Sequence, residues 1–182
     1  MQARRPVARL LATALCVLAI GPFAAAADIR DAEIKHLSRN AVLERPAALP
    51  TEGYLSTGQP NEAVLKTVAD AGFAAVIDLR GAGEKRGIDE KAAVESLGMT
   101  YVSLPVPGPA DATVEKAAAL EQVLAGIEGP VLLHCRSGNR VGALFALSAK
   151  AEGASNEEAL AIGKSAGLSR WEKEIREKLE SE

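Results

Sequence analysis

The sequence predicts an α/β protein with a central, mostly parallel sheet and helices on both faces. Short apolar segments alternate with longer segments in which apolar residues recur at helical spacing. The continuous apolar run Val131–Leu133 is typical of a strand buried on both faces of a parallel sheet. Glycines 72, 98 and 129 follow three of the helical segments, and glycine is common just beyond a helix C-terminus.

The first elements follow from this alternation. The predicted order is an edge strand at 53–57, a helix from the N-cap candidate Asn61 to Gly72, a strand at 74–79, a helix at 89–97, a strand at 99–104 and a helix at 113–127. Between the last two elements, the segment 105–111 contains three prolines and is predicted to be a rigid loop.

The remaining elements are a fourth strand and three helices. The apolar run at 131–133 leads into a polar loop, and helices are predicted at 141–152, 155–166 and 169–179, the last two forming a C-terminal helical segment. In parallel α/β sheets the working crevice lies at the C-terminal ends of the strands. That edge would gather Asp78, Arg80, the loop at 105–111 and the loop that begins at Cys135.

Residues 1–27 have the pattern of a cleaved signal peptide. Arg4, Arg5 and Arg9 precede an apolar core of moderate length, and four alanines precede Asp28. We expect a mature chain from about Asp28 that is periplasmic or secreted, with no stable membrane insertion after cleavage. Residues 28–50 would form an N-terminal arm and residues 51–182 one domain.

Charge and cysteine content limit the possible partners. Removal of residues 1–27 takes three arginines and no acidic residue, so the formal net charge of −3 would become −6. This balance argues against a nucleic-acid partner. Cys135 would be the one remaining cysteine, so no disulfide is expected. With His36 and His134 as the two histidines of the chain, we predict no metal site and no cofactor.

The loop that follows the fourth strand is the candidate functional site. It reads His134, Cys135, Arg136, Ser137, Gly138, Asn139 and Arg140. Gly138 gives the loop freedom to wrap tightly, and the following helix would aim backbone N–H groups and its positive dipole end at one point. A thiol at that point is favoured as the nucleophilic thiolate, and arginines can bind an oxyanion. The loop therefore predicts an anion site beside a thiolate.

This loop resembles the active loop of cysteine-dependent phosphatases. Together with Gly58-Gln59-Pro60 and Val76-Ile77-Asp78-Leu79-Arg80, it resembles the phosphatase-like domain of the bacterial beta-lactamase-hydrolase-like family, within the protein tyrosine and dual-specificity phosphatase superfamily. The resemblance covers roughly residues 50–168. It implies a protein-tyrosine-phosphatase-like fold and the hydrolysis of a small-molecule or protein phosphate ester.

The resemblance also implies roles for single residues. Cys135 would attack phosphorus to form a thiophosphoryl-cysteine intermediate, Arg140 would bind the phosphoryl oxygens, and His134 would hold the loop. Asp111, in a loop at the active edge, is the candidate general acid, and Asp78 is a second candidate with a structural role as its alternative. The candidate substrate-binding residues are His134, Arg136, Ser137, Gly138 and Asn139.

Two alternatives remain open on the sequence. Cys135 and Arg140 enclose four residues, whereas protein tyrosine phosphatases enclose five, and the shorter loop is also used by rhodanese-type sulfurtransferases. In such an enzyme Cys135 would carry a persulfide. However, the region after residue 153 has no further apolar strand, which favours the phosphatase order. The third possibility is a module that binds an oxyanion without turnover.

Overall fold

The structure, a computed structural model, describes residues 53–181. The predicted signal peptide (1–27), the predicted arm (28–50) and the first two residues of the predicted domain (51–182) lie outside the described residues. Within them, the predicted α/β fold is confirmed. Four parallel strands form one sheet: β1 (Tyr54–Thr57), β2 (Ala75–Asp78), β3 (Thr100–Ser103) and β4 (Val131–His134).

The strand order is β1-β4-β2-β3, so β4 lies inside the sheet between β1 and β2. The register aligns the strand ends: His134 is opposite Thr57 on one side and Asp78 on the other. All four residues of β4 are buried. The loop that follows His134 therefore starts at the middle of the C-terminal edge.

Six helices cover the sheet in the described residues. They are α1 (Glu62–Asp70), α2 (Glu90–Ser96), α3 (Val114–Ala125), α4 (Asn139–Ala151), α5 (Asn156–Ser165) and α6 (Glu172–Ser181). The predicted cap at Asn61 is confirmed, because its side chain accepts a hydrogen bond from the Val64 amide. No further strand follows α4 up to residue 181.

The two faces of the sheet carry separate apolar cores. On one face, α1 and α2 pack against alternate strand residues such as Val76 and Leu132. On the other face, Ile77 and Leu133 pack against α3, α4 and the C-terminal helices. Alternating side-chain directions along each strand supply both faces, which confirms the prediction of helices on both sides.

One helix boundary matters for the site. The sequence predicts that α4 begins at Val141, but it begins at Asn139. Gly138 adopts a left-handed conformation (φ 86°) and precedes the first helical residue, a conformation that glycine adopts without the steric cost of a side chain. Asn139 and Arg140 are therefore held by the first turn of the helix.

Across residues 53–181, no helix combines the length and the apolar character that crossing a membrane requires.

Candidate active site

The candidate site is the loop between β4 and α4. Its backbone is anchored on the β1 side, since the Cys135 amide donates to the Thr57 carbonyl (3.3 Å) and Gly58 forms an isolated antiparallel bridge with Ser137. A side chain at position 58 would bring its Cβ to 3.1 Å from the Arg136 carbonyl oxygen. Gly58 therefore permits the loop to lie close to the end of β1.

Backbone amides converge on the thiol of Cys135. The Gly138 amide lies 3.1 Å from Sγ and the Ser137 amide 3.5 Å. Cys135 is 1% exposed and lies ahead of the N-terminus of α4, which carries the positive end of the helix dipole. Both amides are directed at the sulfur. The predicted convergence of loop amides on one point is therefore present.

A pocket of about 250 Å³ opens onto this thiol. Five of its lining residues come from the loop (Cys135, Arg136, Ser137, Asn139 and Arg140), and two, Arg170 and Trp171, come from the segment between α5 and α6. No carboxylate is among these described lining residues. The pocket is smaller than the clefts of ~300–1,000 Å³ that hold drug-sized ligands, so its volume suits a small ligand.

Arg140 is held by a carboxylate from another loop. Its Nη1 lies 2.8 Å from Glu84 Oε1, at ion-pair distance but without the alignment of a full hydrogen bond. Glu84 also accepts bonds from the Gly81 amide (2.8 Å) and from Arg80 Nε (3.2 Å). Burial acts to raise the pKa of Glu84, but the ion pair with Arg140 and the hydrogen bonds from Gly81 and Arg80 outweigh burial and lower it. Glu84 is thus an ionised partner that orients the Arg140 guanidinium.

Asp78 is fully buried at the end of β2 and has three donors. Its Oδ1 accepts from the Arg80 amide (2.8 Å), and its Oδ2 accepts from Arg86 Nε (2.6 Å) and Tyr101 Oη (2.8 Å). Burial and the bond to Asp78 raise the pKa of Tyr101. With both carboxylate oxygens occupied, Asp78 organises the loop from Arg80 to Arg86, in line with the structural alternative.

His134 points away from the pocket into a buried acidic environment. Its Nε2 lies 2.6 Å from Glu90 Oε1 and 3.7 Å from Asp78 Oδ1, and all three side chains are 0% exposed. Neither approach has hydrogen-bond alignment. Glu90 Oε2 accepts from Gln59 Nε2 (2.9 Å). His134 does not line the pocket, so its contact with a substrate would be indirect, through the position of Cys135.

Asp78, Glu90 and His134 are far apart along the chain, yet their ligand atoms lie within 4.8 Å of one another. Such a group has the donor types of a metal site. The cationic side chain of Arg86 already occupies it, 2.6 Å from Asp78 and 3.7 Å from Glu90. A second positive charge there would meet electrostatic repulsion, so the residues fit an ion-pair network better than a metal ion.

Asn139 ties the loop to the C-terminal segment. Its Oδ1 accepts from the amides of Ser169 (2.9 Å) and Trp171 (3.1 Å), and its Nδ2 donates to Ser169 Oγ (3.1 Å). Ser137 Oγ accepts from Arg170 Nη2 (3.1 Å). Ser137 and Asn139 thus stabilise the loop while also lining the pocket.

The candidate acid Asp111 lies outside this pocket lining. It ends a 3₁₀ turn, Pro109–Asp111, and its Oδ2 accepts from the Gly108 amide (2.9 Å). Lys178 Nζ donates to the carbonyls on either side of it, those of Ala110 (3.0 Å) and Ala112 (2.5 Å). The backbone of the turn is therefore fixed, and rotation of the exposed Asp111 side chain is the movement available to it.

Sequence reasoning missed four residues of this site. Glu84 and Glu90 were not singled out because they lie in a loop and at a helix start, where acidic residues usually face solvent. Arg170 and Trp171 were not singled out because they are distant along the chain from Cys135. The two residues of the loop that do not line the pocket, His134 and Gly138, act through the buried network and through the Gly138 amide.

A parallel sheet whose inner strand ends in a cysteine-led loop, with a helix and an arginine behind the loop, defines a protein-tyrosine-phosphatase-like protein. The chain belongs to the family of the "Beta-lactamase hydrolase-like protein, phosphatase-like domain", whose model matches residues 48–152. The fold and family resemblance that the loop motifs indicated are thus confirmed.

Curated relatives agree with this assignment. The chain is 36% identical over 102 residues to the beta-lactamase hydrolase-like protein of Agrobacterium fabrum, which covers 53% of this chain and 23% of the relative. It is 36% identical over 117 residues to that of Xylella fastidiosa, covering 62% of this chain and 27% of the relative. The chain thus spans about a quarter of the length of these relatives.

Solved structures share the fold. A candidate phosphatase from Neisseria meningitidis is 25% identical, with a TM-score of 0.63, over 74% of this chain and 96% of that one. The active form of the phosphatase Tk-PTP is 24% identical, with a TM-score of 0.54, over 76% of this chain and 99% of that one. The described domain is therefore close to the whole length of these solved phosphatase-like chains.

Proposed function

We propose that this protein is a phosphoric monoester hydrolase that works through a thiophosphoryl-cysteine intermediate on Cys135. One observation carries the proposal: the sulfur lies at a small pocket and receives two backbone amides, while Arg140 lines the same pocket. Phosphoryl transfer depends mainly on positioning and on fixed positive charge around the transferred group. This pocket offers a nucleophile and that charge together.

The proposed reaction has two steps. The Cys135 thiolate attacks phosphorus, the bond from phosphorus to the ester oxygen breaks, and the leaving oxygen takes a proton. Water then attacks the phosphorus and gives a proton back to the group that protonated the leaving oxygen, the phosphorus–sulfur bond breaks, and inorganic phosphate and the thiolate are released. The loop amides and Arg140 bind the equatorial oxygens throughout, and Glu84 holds Arg140 in position.

Asp111 is our proposed proton donor for the leaving oxygen. It lies on the connection that follows β3 at the edge that carries Cys135, and its side chain is exposed and able to turn. Glu84 is less suited, because its carboxylate is already engaged by Arg140, Arg80 and the Gly81 amide. In the described residues, no carboxylate already lines the pocket in its place.

Two ester substrates test Asp111. A general acid matters most for a poor leaving group, so Asp111→Asn should lower kcat for phenyl phosphate at least tenfold and leave that for 4-nitrophenyl phosphate within about threefold. Asp70→Asn, an exposed carboxylate on α1, serves as the control and should change neither. Equal losses on both esters with Asp111→Asn would contradict the assignment.

The two alternative activities are separated from hydrolysis by one set of assays. The purified protein is given 4-nitrophenyl phosphate and, separately, thiosulfate with cyanide. We expect phosphate release that is lost in Cys135→Ser and falls at least a hundredfold in Arg140→Lys, but is kept in Arg176→Lys, an arginine on α6 outside the pocket. Thiocyanate formation would instead indicate a sulfurtransferase, and phosphate binding without turnover a binding module.

We further propose that the protein is exported and acts on a small-molecule or protein phosphate ester in the periplasm or outside the cell. The support is the basic and apolar pattern of residues 1–27 and the alanines before Asp28. Cell fractionation followed by mass spectrometry of the intact protein tests this. We expect a periplasmic or secreted chain that starts at Asp28, and a cytosolic chain that retains residues 1–27 would contradict it.

A further inference from the structure

Two side chains of the pocket come from outside the Cys135 loop and outside the family match at 48–152. These are Arg170 and Trp171. We propose that the turn Ser169–Trp171 recognises the leaving group, and that the substrate is a phosphate monoester whose leaving group has an apolar, flat body and a second anionic group. This inference rests on the proposed function and adds the substrate class to it.

The turn is held in a fixed place beside the loop. Asn139, which is 4% exposed, accepts from the backbone amides of Ser169 and Trp171 and donates to the Ser169 hydroxyl. A buried amide with this many partners is costly to displace. Arg170 and Trp171 therefore belong to a preorganised wall of the pocket, since the residue that positions them is itself part of the loop.

Backbone packing brings the two segments into direct contact. A Cβ at Gly167 would lie 3.1 Å from the Gly138 Cα, and one at Gly138 would lie 3.4 Å from Gly167. Both glycines have positive φ angles. In addition, the Ser56 hydroxyl at the end of β1 donates to the Ala166 carbonyl at 2.7 Å in the interior. The residues just before the turn, Ala166 and Gly167, are thus held by contacts with β1 and with the Cys135 loop.

Positive charge reaches the pocket from outside the phosphate-binding loop as well as from within it. Glu84 already balances Arg140, and the loop amides remain for the phosphoryl oxygens. Across residues 53–181, neither Arg136 nor Arg170 has an ion-pair partner, and no carboxylate lines the pocket. Because Arg170 lies outside the loop that would bind the phosphoryl group, its charge favours a leaving group that carries a negative charge of its own.

Trp171 supplies the apolar part of the same wall. It is half-buried and packs against the core on the α4 side of the sheet, so its indole is held in place while part of it faces the pocket. An immobilised indole presents a flat apolar surface with little entropy to lose on binding. An aromatic or similarly flat leaving group would contact it while its second anion meets Arg170.

Binding of two matched esters tests the recognition. The Cys135→Ser variant, which cannot turn them over, is titrated by calorimetry with phenyl phosphate and with 4-carboxyphenyl phosphate. We expect the carboxylated ester to bind about fivefold tighter, near the upper limit for an exposed charge pair. Arg170→Gln added to this variant should abolish the difference. Lys173→Gln, which removes an exposed charge from the next turn, should keep it.

Tryptophan emission reports the second part of the proposal. Trp171 is the one tryptophan of the chain, so any change in emission on binding arises beside the pocket. We expect both esters to shift the emission, and Trp171→Leu to weaken both at least threefold in the calorimeter. Heat of binding without a change in emission would overturn the role of Trp171. Equal affinities for the two esters, or a difference that survives Arg170→Gln, would overturn the role of Arg170.

Turnover by the unmodified Cys135 protein separates this inference from the proposed function. Hydrolysis of both esters with equal KM values would leave the phosphatase proposal standing and overturn the recognition by Arg170. Selective binding of the carboxylated ester without hydrolysis of either would support the recognition and contradict the phosphatase proposal. Binding and turnover measured with the same two esters therefore distinguish failure of the recognition by Arg170 from failure of the phosphatase proposal.

Discussion

At the scale of single residues, the site depends on carboxylates that never face the substrate. Glu84 contacts Arg140, and Glu90 contacts His134, the residue before the nucleophile. Each carboxylate therefore positions a residue of the loop from outside it. Replacing Glu84 or Glu90 by glutamine should lower both the stability of the protein and its catalytic activity, and the loss of stability should be larger for the buried Glu90.

Glu84→Gln should lower stability in a pH-dependent way. The pKa of Glu84 is lower in the folded protein than its ordinary value of 4.5, so its stabilising effect is fully present above that value and is lost as pH falls through the lower folded value. Above pH 5 we expect the variant to be less stable by about 1 kcal/mol. This difference should shrink toward pH 3 in urea denaturation measured at several pH values.

Glu90→Gln should have a larger effect on stability because the side chain is buried. The variant removes the charge that lies 2.6 Å from His134 Nε2, and a loss of about 1–3 kcal/mol is expected for a buried polar contact. Since His134 precedes Cys135, kcat/KM should also fall. Glu95→Gln, on an exposed position of the same helix, is the control. An unchanged urea midpoint for Glu90→Gln would show that the buried contact contributes nothing.

At the scale of secondary-structure elements, the close packing of α4 and α5 depends on glycines. A Cβ at Gly142 would overlap the Leu168 amide and the Gly163 carbonyl, and one at Gly163 would lie 2.7 Å from the Gly142 carbonyl oxygen. Because the backbones touch, α5 and the turn after it come within reach of Asn139. The position of the pocket wall thus depends on the absence of two side chains in the helices.

Gly142→Ala should therefore separate the two helices. Overpacking in a core costs about 1–3 kcal/mol, and displacement of the turn at 169–171 should also raise KM. Gly126→Ala is the matched control, because a Cβ there would meet only ordinary contacts, the nearest at 3.6 Å. Thermal unfolding and ester kinetics measure both effects. A Gly142→Ala protein as stable and active as the parent would contradict this account of the packing.

The order of the strands and helices and the anion loop could be predicted from the sequence, whereas the pocket wall at 169–171 could not. Alternating apolar and helical periods predicted the order of strands and helices, because burial in a parallel sheet leaves a strong local pattern. The anion loop was predictable because its residues are contiguous. Arg170 and Trp171 could not be predicted as pocket residues, because their position depends on distant contacts. The Trp171 amide bonds to Asn139, and Gly167 packs against Gly138. The start of α4 was placed two residues late because the left-handed Gly138 cap leaves no apolar signal.

At the scale of the whole molecule, the family match ends at residue 152 but the core does not. Leu160, Leu168, Ile175 and Leu179 are each 4% exposed or less and belong to the core on the α4 side. Full burial of such a side chain stabilises a protein by about 1.5–3 kcal/mol. The stabilisation from burying all four side chains is therefore comparable with the ~5–15 kcal/mol total stability of a typical domain.

A chain that ends at Gly153 should consequently fail to fold cooperatively. We expect no sharp thermal transition by circular dichroism and binding of a hydrophobic dye to the exposed face of α4. A chain that ends at Glu180 keeps all four of these side chains and should melt like the full chain. A cooperative transition in the shorter protein would show that the first 153 residues are an independent domain.

The strand order also has a consequence for the sequence of events during synthesis. β1, β2 and β3 leave the ribosome first, but β1 has no partner in the described sheet until β4 arrives, because Tyr54 pairs with Val131. The wall at Trp171 is completed later still. Contacts between distant parts of a chain form slowly. The nascent protein therefore carries an unpaired first strand until β4 has been made, and the wall of the pocket forms only after the sheet is complete.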